Sequence, residues 1–191
     1  MTPVDELEVK ARVDDAAKLA RRLRDAGAEL VFRGTMVDRR YDREHTLEAR
    51  DEVVRLRLYQ PADGAEPWGV LGWKGPAGKR GAYRHRAEAE TRVDNPDAAL
   101  TLLERLGLEV SLRIDREIEQ YRLGDAVLRV ERYPEMDTLL EVEGPPPAIE
   151  LAIAATGLAR ATFLAESLPY FVTKYEQRTG QRARLAATDT P

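Results

Sequence analysis

The chain has no cysteine among its 191 residues, which excludes disulfides, thiolate metal sites and a cysteine nucleophile together. Aromatic side chains make up only 6%, and His45 and His85 are the only histidines. Lysine is scarce too: five of the 30 basic residues (10, 18, 74, 79 and 174), the rest being arginine. A GC-rich genome explains this, and so does a need for planar, bidentate contacts with phosphate; composition does not choose. There is no cationic excess. With 34 acidic residues the net charge is −4, which argues against a general nucleic-acid or membrane-surface binder. Met1-Thr2-Pro3-Val4-Asp5-Glu6 lacks the basic and apolar regions of a signal peptide, and no apolar run approaches the roughly 18 residues of a membrane helix. A soluble cytoplasmic protein is expected.

What is present is 43% hydrophobic and 34% charged. The charged share is above the usual level of about 25%, yet the apolar residues fall in periodic patches, so the chain should fold. No composition shift marks an internal boundary, so one domain is expected over 1–182, with a flexible tail at 183–191.

Residues 4–13 alternate strictly. Glu6, Glu8, Lys10 and Arg12 point one way; Leu7, Val9, Ala11 and Val13 point the other. Asp14 then caps a predicted helix at 15–26, stopped by Gly27. Strands are predicted at 29–42, 52–59, 68–74 and 83–93, with a mobile Gly/Pro connection at 75–82. A second helix at 96–106 opens on Asn95-Pro96 and stops at Gly107; a third, at 147–156, stops at Gly157. Strands near 109–122, 126–132 and 139–144 lie between them, and a last helix covers 166–178. A Glu-x-Glu strand followed by a helix and a glycine thus occurs three times.

The polar faces of these strands carry clustered charges of both signs: Glu6, Glu8 and Lys10; Arg55 and Arg57; Arg84, Arg86, Glu88, Glu90 and Arg92; Arg129 and Glu131; Glu141 and Glu143. If the strands form one sheet with helices on its apolar face, curling that sheet encloses the charges in a wet cavity. Carboxylates at i and i+2 share a hard divalent cation through oxygen, and Arg or Lys beside them bind anionic oxygens. Such a site suits a complex of Mg²⁺ or Mn²⁺ with a polyphosphate. For any one Glu-x-Glu, a solvated face of cross-strand ion pairs is the better explanation. Three of them, with basic residues in matching parity on neighbouring strands, favour the enclosed site.

Glu6-x-Glu8-x-Lys10, opening the first strand, resembles the signature of the CYTH or triphosphate-tunnel metalloenzyme family, which includes class IV adenylyl cyclases, thiamine triphosphatases and tripolyphosphatases. The likeness continues in order through Asp38-Arg39-Arg40-Tyr41-Asp42, Arg55-Leu56-Arg57, Trp73-Lys74-Gly75-Pro76, Arg86-Ala87-Glu88-Ala89-Glu90, and Glu131 with Glu141-Val142-Glu143. It implies an α+β fold built on an eight-stranded antiparallel β-barrel with flanking helices. By that resemblance Glu6, Glu8, Glu141 and Glu143, with Glu131 and Glu88 or Glu90, hold one or two Mg²⁺ or Mn²⁺ ions. Lys10, Arg55, Arg57, Lys74, Arg86 and Arg129 hold phosphate oxygens. The family's Lys-x-Arg near 110–120 lacks its Lys here; Arg116 is the preferred equivalent and Arg113 the second. Glu6, Glu8, Lys10 and Arg116 are the expected catalytic set. No His-Phe precedes the first Glu-x-Glu, where this chain has Thr2-Pro3-Val4-Asp5.

The expected function is metal-dependent hydrolysis of tripolyphosphate, thiamine triphosphate or another triphosphate, by a monomer or homodimer that engages neither nucleic acid nor membrane. The alternatives are a class IV adenylyl cyclase acting on ATP and a non-catalytic polyphosphate- or nucleotide-binding module. Tyr41 and Trp73 are read as packing residues, Trp68 as a tunnel-mouth residue, His45 as a loop residue and His85 as structural, facing the helices. Arg21, Arg22 and Arg24 form a solvated helix face, and Lys174 is read as solvated. Lys79 and Arg80 are candidates to close over substrate.

Overall fold

The computed structural model describes residues 4–187. Alternating strands dominate it: β1 (Val4–Arg12), β2 (Glu29–Asp42), β3 (Val53–Pro61), β4 (Trp68–Lys74), β5 (Gly78–Arg80), β6 (Tyr83–Val93), β7 (Glu109–Leu123), β8 (Ala126–Arg132) and β9 (Leu139–Glu143). Eight of them pair antiparallel in the order β1-β9-β8-β7-β2-β3-β4-β6, and β6 pairs back onto β1 from Val4↔Glu88 to Glu8↔Arg84. The sheet is therefore closed, an eight-stranded barrel with no free edge in the circuit, and the fold is α+β.

Four helices surround it: α1 (Ala16–Asp25), α2 (Pro96–Arg105), α3 (Pro146–Thr156) and α4 (Leu168–Thr179). The outward residues of β1, β8 and β9 (Leu7, Val9, Ala11, Leu128, Val130, Leu140, Val142) bury themselves against Leu19 and Leu23 of α1 and Ile149 and Ile153 of α3. Ala99 and Leu103 of α2 cover Tyr41 and Leu56 on the opposite side. The three helices that follow a Glu-x-Glu strand end at Gly27, Gly107 and Gly157, all at positive φ, a conformation glycine adopts without steric cost. Asn95 caps α2 by accepting the Ala98 N–H. For α1 the cap is Asp15, one residue later than expected, because its carboxylate reaches the Lys18 N–H at 2.8 Å.

The connection at 75–82 is ordered by pairing instead of left as a mobile loop. It contains β5, which extends the β4 side of β6, and Lys79 and Arg80 pair with Glu166 and Asp5 at 2.8 Å each. From the expected tail, Arg184 exchanges backbone hydrogen bonds with Glu135 at 2.9 and 3.1 Å, and Asp115 accepts the Ala187 N–H at 3.0 Å. Residues 188–191 and Met1-Thr2-Pro3 lie outside the described residues. No helix among the described residues is long and apolar enough to cross a membrane.

Candidate functional site

Strand alternation sends every second side chain of the barrel inward, and the bore has three zones. Along β7 the inward residues are Ile114, Arg116 and Ile118 in turn. Ile114 joins Tyr133 and Leu139 in a cluster that packs on Leu168 and Phe171 of α4. Ile118 joins Met36 and Tyr59, with Phe32, Trp68 and Val70 against them; the rings of Tyr59 and Trp68 are stacked with centroids 5.2 Å apart. The charged zone lies between these two apolar groups.

Within it is a cavity of about 210 Å³ lined by Lys10, Arg40, Arg55, Arg57, Lys74, Arg84, Arg86 and Arg116, against the carboxylates of Glu8, Asp51, Glu131 and Glu141. The chain entering α4, Ser167-Leu168-Pro169, covers part of it. Buried charge is costly unless paired, and here the pairing is extensive. Lys10 meets Glu8 at 2.7 Å and Glu141 at 2.5 Å. Arg55 bridges Glu88 and Glu90, both at 2.9 Å, and Arg116 bridges Asp38 at 2.8 Å and Glu131 at 2.7 Å. Lys74 pairs with Glu6 and Glu88, Arg84 with Glu8, and Arg86 with Asp51. Arg129 pairs with Glu141 at 2.5 Å and Glu143 at 3.3 Å. Gly72, which faces Glu90 across the β4–β6 ladder, leaves it the room to reach Arg55: a Cβ on Gly72 would lie 3.1 Å from the Glu90 carboxylate.

The acidic side has its own order. Glu8 and Glu143 are cross-strand partners, and Glu6 is two residues along the same face; one carboxylate oxygen from each of Glu6, Glu8 and Glu143 lies within 4.8 Å of the other two. Enclosure in the barrel pushes the pKa of Glu143 well up, with nearby Glu141 adding to the effect against the pull of Arg129. Burial also raises Glu88, to about 7, helped by its hydrogen bond with Glu90. Burial opposes charge at Glu90 as well, yet that same hydrogen bond and the guanidiniums of Arg57 and Arg55 bring it down to about 2. Glu6 goes the other way from Glu143: against the cost of burial, the Lys74 ammonium lowers its pKa. All-oxygen donors match a hard divalent cation, so Glu6, Glu8 and Glu143 fit the ion that the motifs imply. These three also pair with Lys74, Lys10, Arg84 and Arg129; what sets them apart from Glu88, Glu90, Glu131 and Glu141 is that their oxygens converge on one point.

The inward set thus brings together Glu6, Glu8, Lys10, Arg55, Arg57, Lys74, Arg86, Glu88, Glu90, Arg116, Arg129, Glu131, Glu141 and Glu143. Arg113 is not part of it. Three residues from Arg116, it falls on the opposite face of β7, the face where Asp115 pairs with Arg39 at 2.6 Å; parity decides the register in favour of Arg116. His85 faces outward as expected but lies at the surface, 2.9 Å from Asp5, not under a helix. Arg22 is tied to the Thr156 carbonyl at 3.1 Å and is not simply solvated. Lys174 stands over the Tyr170 ring, at 5.6 Å from its centroid, and lines a cavity outside the barrel.

Two inward residues of the site were not singled out from sequence. Tyr133 donates to Glu131 at 2.5 Å, and Arg116 stacks 5.7 Å above its ring, so it fixes the carboxylate that holds Arg116. Its signal was available, because it continues the inward parity of Arg129 and Glu131. Arg40 had the same kind of signal, sharing parity with Asp38.

No protein-family model matches the chain, and no curated protein matches it. Solved structures do. A candidate adenylate cyclase from Vibrio parahaemolyticus superposes with a TM-score of 0.73 at 20% identity, over 88% of this chain and 97% of that one. A Pyrococcus horikoshii protein, PH1819, gives 0.72 at 20% identity, over 88% and 98%. A candidate adenylyl cyclase from Hippeastrum with a dominant triphosphatase activity gives 0.61 at 15% identity, over 94% and 98%. The chain shares the fold of these structures, and its closed eight-stranded barrel with flanking helices is the architecture that the ordered motifs implied.

Proposed function

We propose that this chain is a divalent-metal-dependent triphosphatase that binds a triphosphate group inside its barrel. One observation carries the reading: eight cationic side chains and only four carboxylates line a cavity of about 210 Å³, beside a trio of carboxylates spaced for a cation. The lining has the net positive charge a polyphosphate neutralises, and most of its cations are buried, where charge contacts are stronger than in water. Glu6, Glu8 and Glu143 would hold Mg²⁺ or Mn²⁺, whose contribution is Lewis-acid neutralisation of phosphate charge.

The chain's own residues supply the rest. Lys10, Lys74, Arg55, Arg57 and Arg116 bind and orient the phosphate oxygens, and their fixed guanidinium and ammonium groups stabilise charge on the transferring phosphoryl without reorganising. Arg116 is held from two sides by Asp38 and Glu131, which preorganises it. In hydrolysis water attacks the terminal phosphorus, the bridging P–O bond breaks, and orthophosphate and the shortened phosphate leave. Tyr133 is the one aromatic side chain lining this cavity, and it is committed to Glu131 and Arg116. Hydrolysis needs only the triphosphate to be held, whereas cyclisation of ATP requires the adenosine to be placed as well. The triphosphatase activity reported for the Hippeastrum structure agrees with hydrolysis.

The test is incubation with tripolyphosphate, thiamine triphosphate and ATP in the presence of Mg²⁺ or Mn²⁺. The expected result is release of orthophosphate by the wild type, abolished in Glu6→Gln and Glu8→Gln while both variants stay folded. Cyclic AMP with pyrophosphate from ATP would establish the cyclase instead. Wild-type rates in both variants would remove the metal assignment.

A further inference from the structure

We propose that Arg40 is a further substrate-binding residue, holding the outermost phosphate of a triphosphate seated in the bore. The proposal rests on the triphosphate reading above and adds to it a position that no motif assigns.

Arg40 shares the inward parity of Asp38 and lines the bore cavity. Its cross-strand partner on β3 is Arg55, a like-charged pair of the kind that destabilises a sheet. Each of the other cations lining that cavity has a carboxylate within ion-pair distance. Arg40 has none among the described residues, and its buried Nε meets no acceptor. Asp38, two residues away on the same face, does not reach it: its Oδ2 accepts Arg116 at 2.8 Å and Arg57 at 3.5 Å, and its buried Oδ1 meets no donor. Burial, together with repulsion from Arg55, Arg116 and Arg57, depresses the Arg40 pKa to about 10 despite Asp38, so it remains cationic at neutral pH. A guanidinium left without an anion where its neighbours all have one is costly to the fold. An arriving phosphate would satisfy it with the bidentate geometry that arginine favours.

Its place identifies which phosphate. Arg40 also lines a second cavity of about 370 Å³ with Tyr41, Asp42 and His45, and the two cavities share Asp51 and Val53. It stands at their boundary, where Asp51 also holds Arg86, so a polyanion extending from Lys10 and Arg116 toward the second cavity meets Arg40. A triphosphate reaches it and a diphosphate held on the inner cations falls short.

The experiment is calorimetric titration of metal-free wild type, Arg40→Met and Arg40→Lys with tripolyphosphate and with pyrophosphate, alongside the melting temperature of each unliganded protein. Arg40→Met should weaken tripolyphosphate binding about tenfold or more, leave pyrophosphate within about twofold, and melt at or above the wild-type temperature. Arg40→Lys should fall between wild type and Arg40→Met, losing about threefold to fivefold in tripolyphosphate affinity, since it keeps the charge but not the bidentate contact. Tripolyphosphate affinity unchanged in Arg40→Met would overturn the assignment, as would an equal loss for pyrophosphate or a drop in melting temperature that accounts for the weaker binding. Wild-type protein that binds neither anion would overturn the triphosphate reading, and the role of Arg40 with it.

Discussion

Asp38 shows how single residues hold this bore together. It is fully buried, with 0% of its surface exposed, and burial alone would push its proton affinity up. Arg57, Arg116, Arg55 and Arg40 reverse that and bring its pKa down to about 2, from an ordinary value of 3.8. A depressed carboxylate stabilises the fold above its unfolded pKa and loses that contribution as pH falls through the folded one. Asp38→Asn should therefore cost about 2 kcal/mol at neutral pH. It should also flatten the loss of stability that the wild type shows between about pH 4 and pH 2, read by denaturant titration across that range. An unchanged acid profile would mean that other carboxylates govern it. The same residue explains a limit of sequence reading. Asp38 is visible as part of a motif, but its partners lie 19 and 78 positions away and meet only once the barrel closes.

At the scale of elements, the helices do two jobs. α1, α2 and α3 cover the outer face of the barrel, whereas α4 packs on inward residues at one end of the bore. Leu168, 8% exposed, sits on Ile114 and Leu139 and also lines the charged cavity. Leu168→Ala should cost about 2–4 kcal/mol by loss of buried area and the cavity left behind. Leu151→Ala on α3, where the side chain is 71% exposed, should change stability by less than about 0.5 kcal/mol. Chemical denaturation of both variants checks the contrast; equal losses would mean that α4 does not seal the bore through Leu168. Element positions were largely legible from sequence because period-2 and period-3.6 patterns report burial directly. β1, β2, β4 and β6 stand where alternation placed them, and the three glycine stops end their helices. The segment 75–82 was read as mobile from its glycines and prolines. Composition carries no record of the Lys79–Glu166 and Arg80–Asp5 pairs or of the open side of β6 that β5 completes.

For the whole molecule, the decisive event is the return of β6 onto β1. It converts five charged strand faces into one interior and places Glu6 and Glu8 beside Glu143. Which residues point inward could be read from parity, and parity alone separates Arg116 from Arg113. Which acids converge closely enough for a cation could not, because that depends on the reach of particular side chains across the closed bore. Glu131 and Glu141 are acids by sequence but belong to Arg116, Lys10 and Arg129 in space. The central claim is that a metal and a triphosphate occupy this interior together. Anomalous diffraction from a crystal of the protein soaked with Mn²⁺ and tripolyphosphate tests it most directly. The account predicts a manganese peak among the carboxylates of Glu6, Glu8 and Glu143, with phosphate density running past Lys10 and Arg116. A manganese peak only on the barrel's exterior, with an interior free of phosphate, would contradict it.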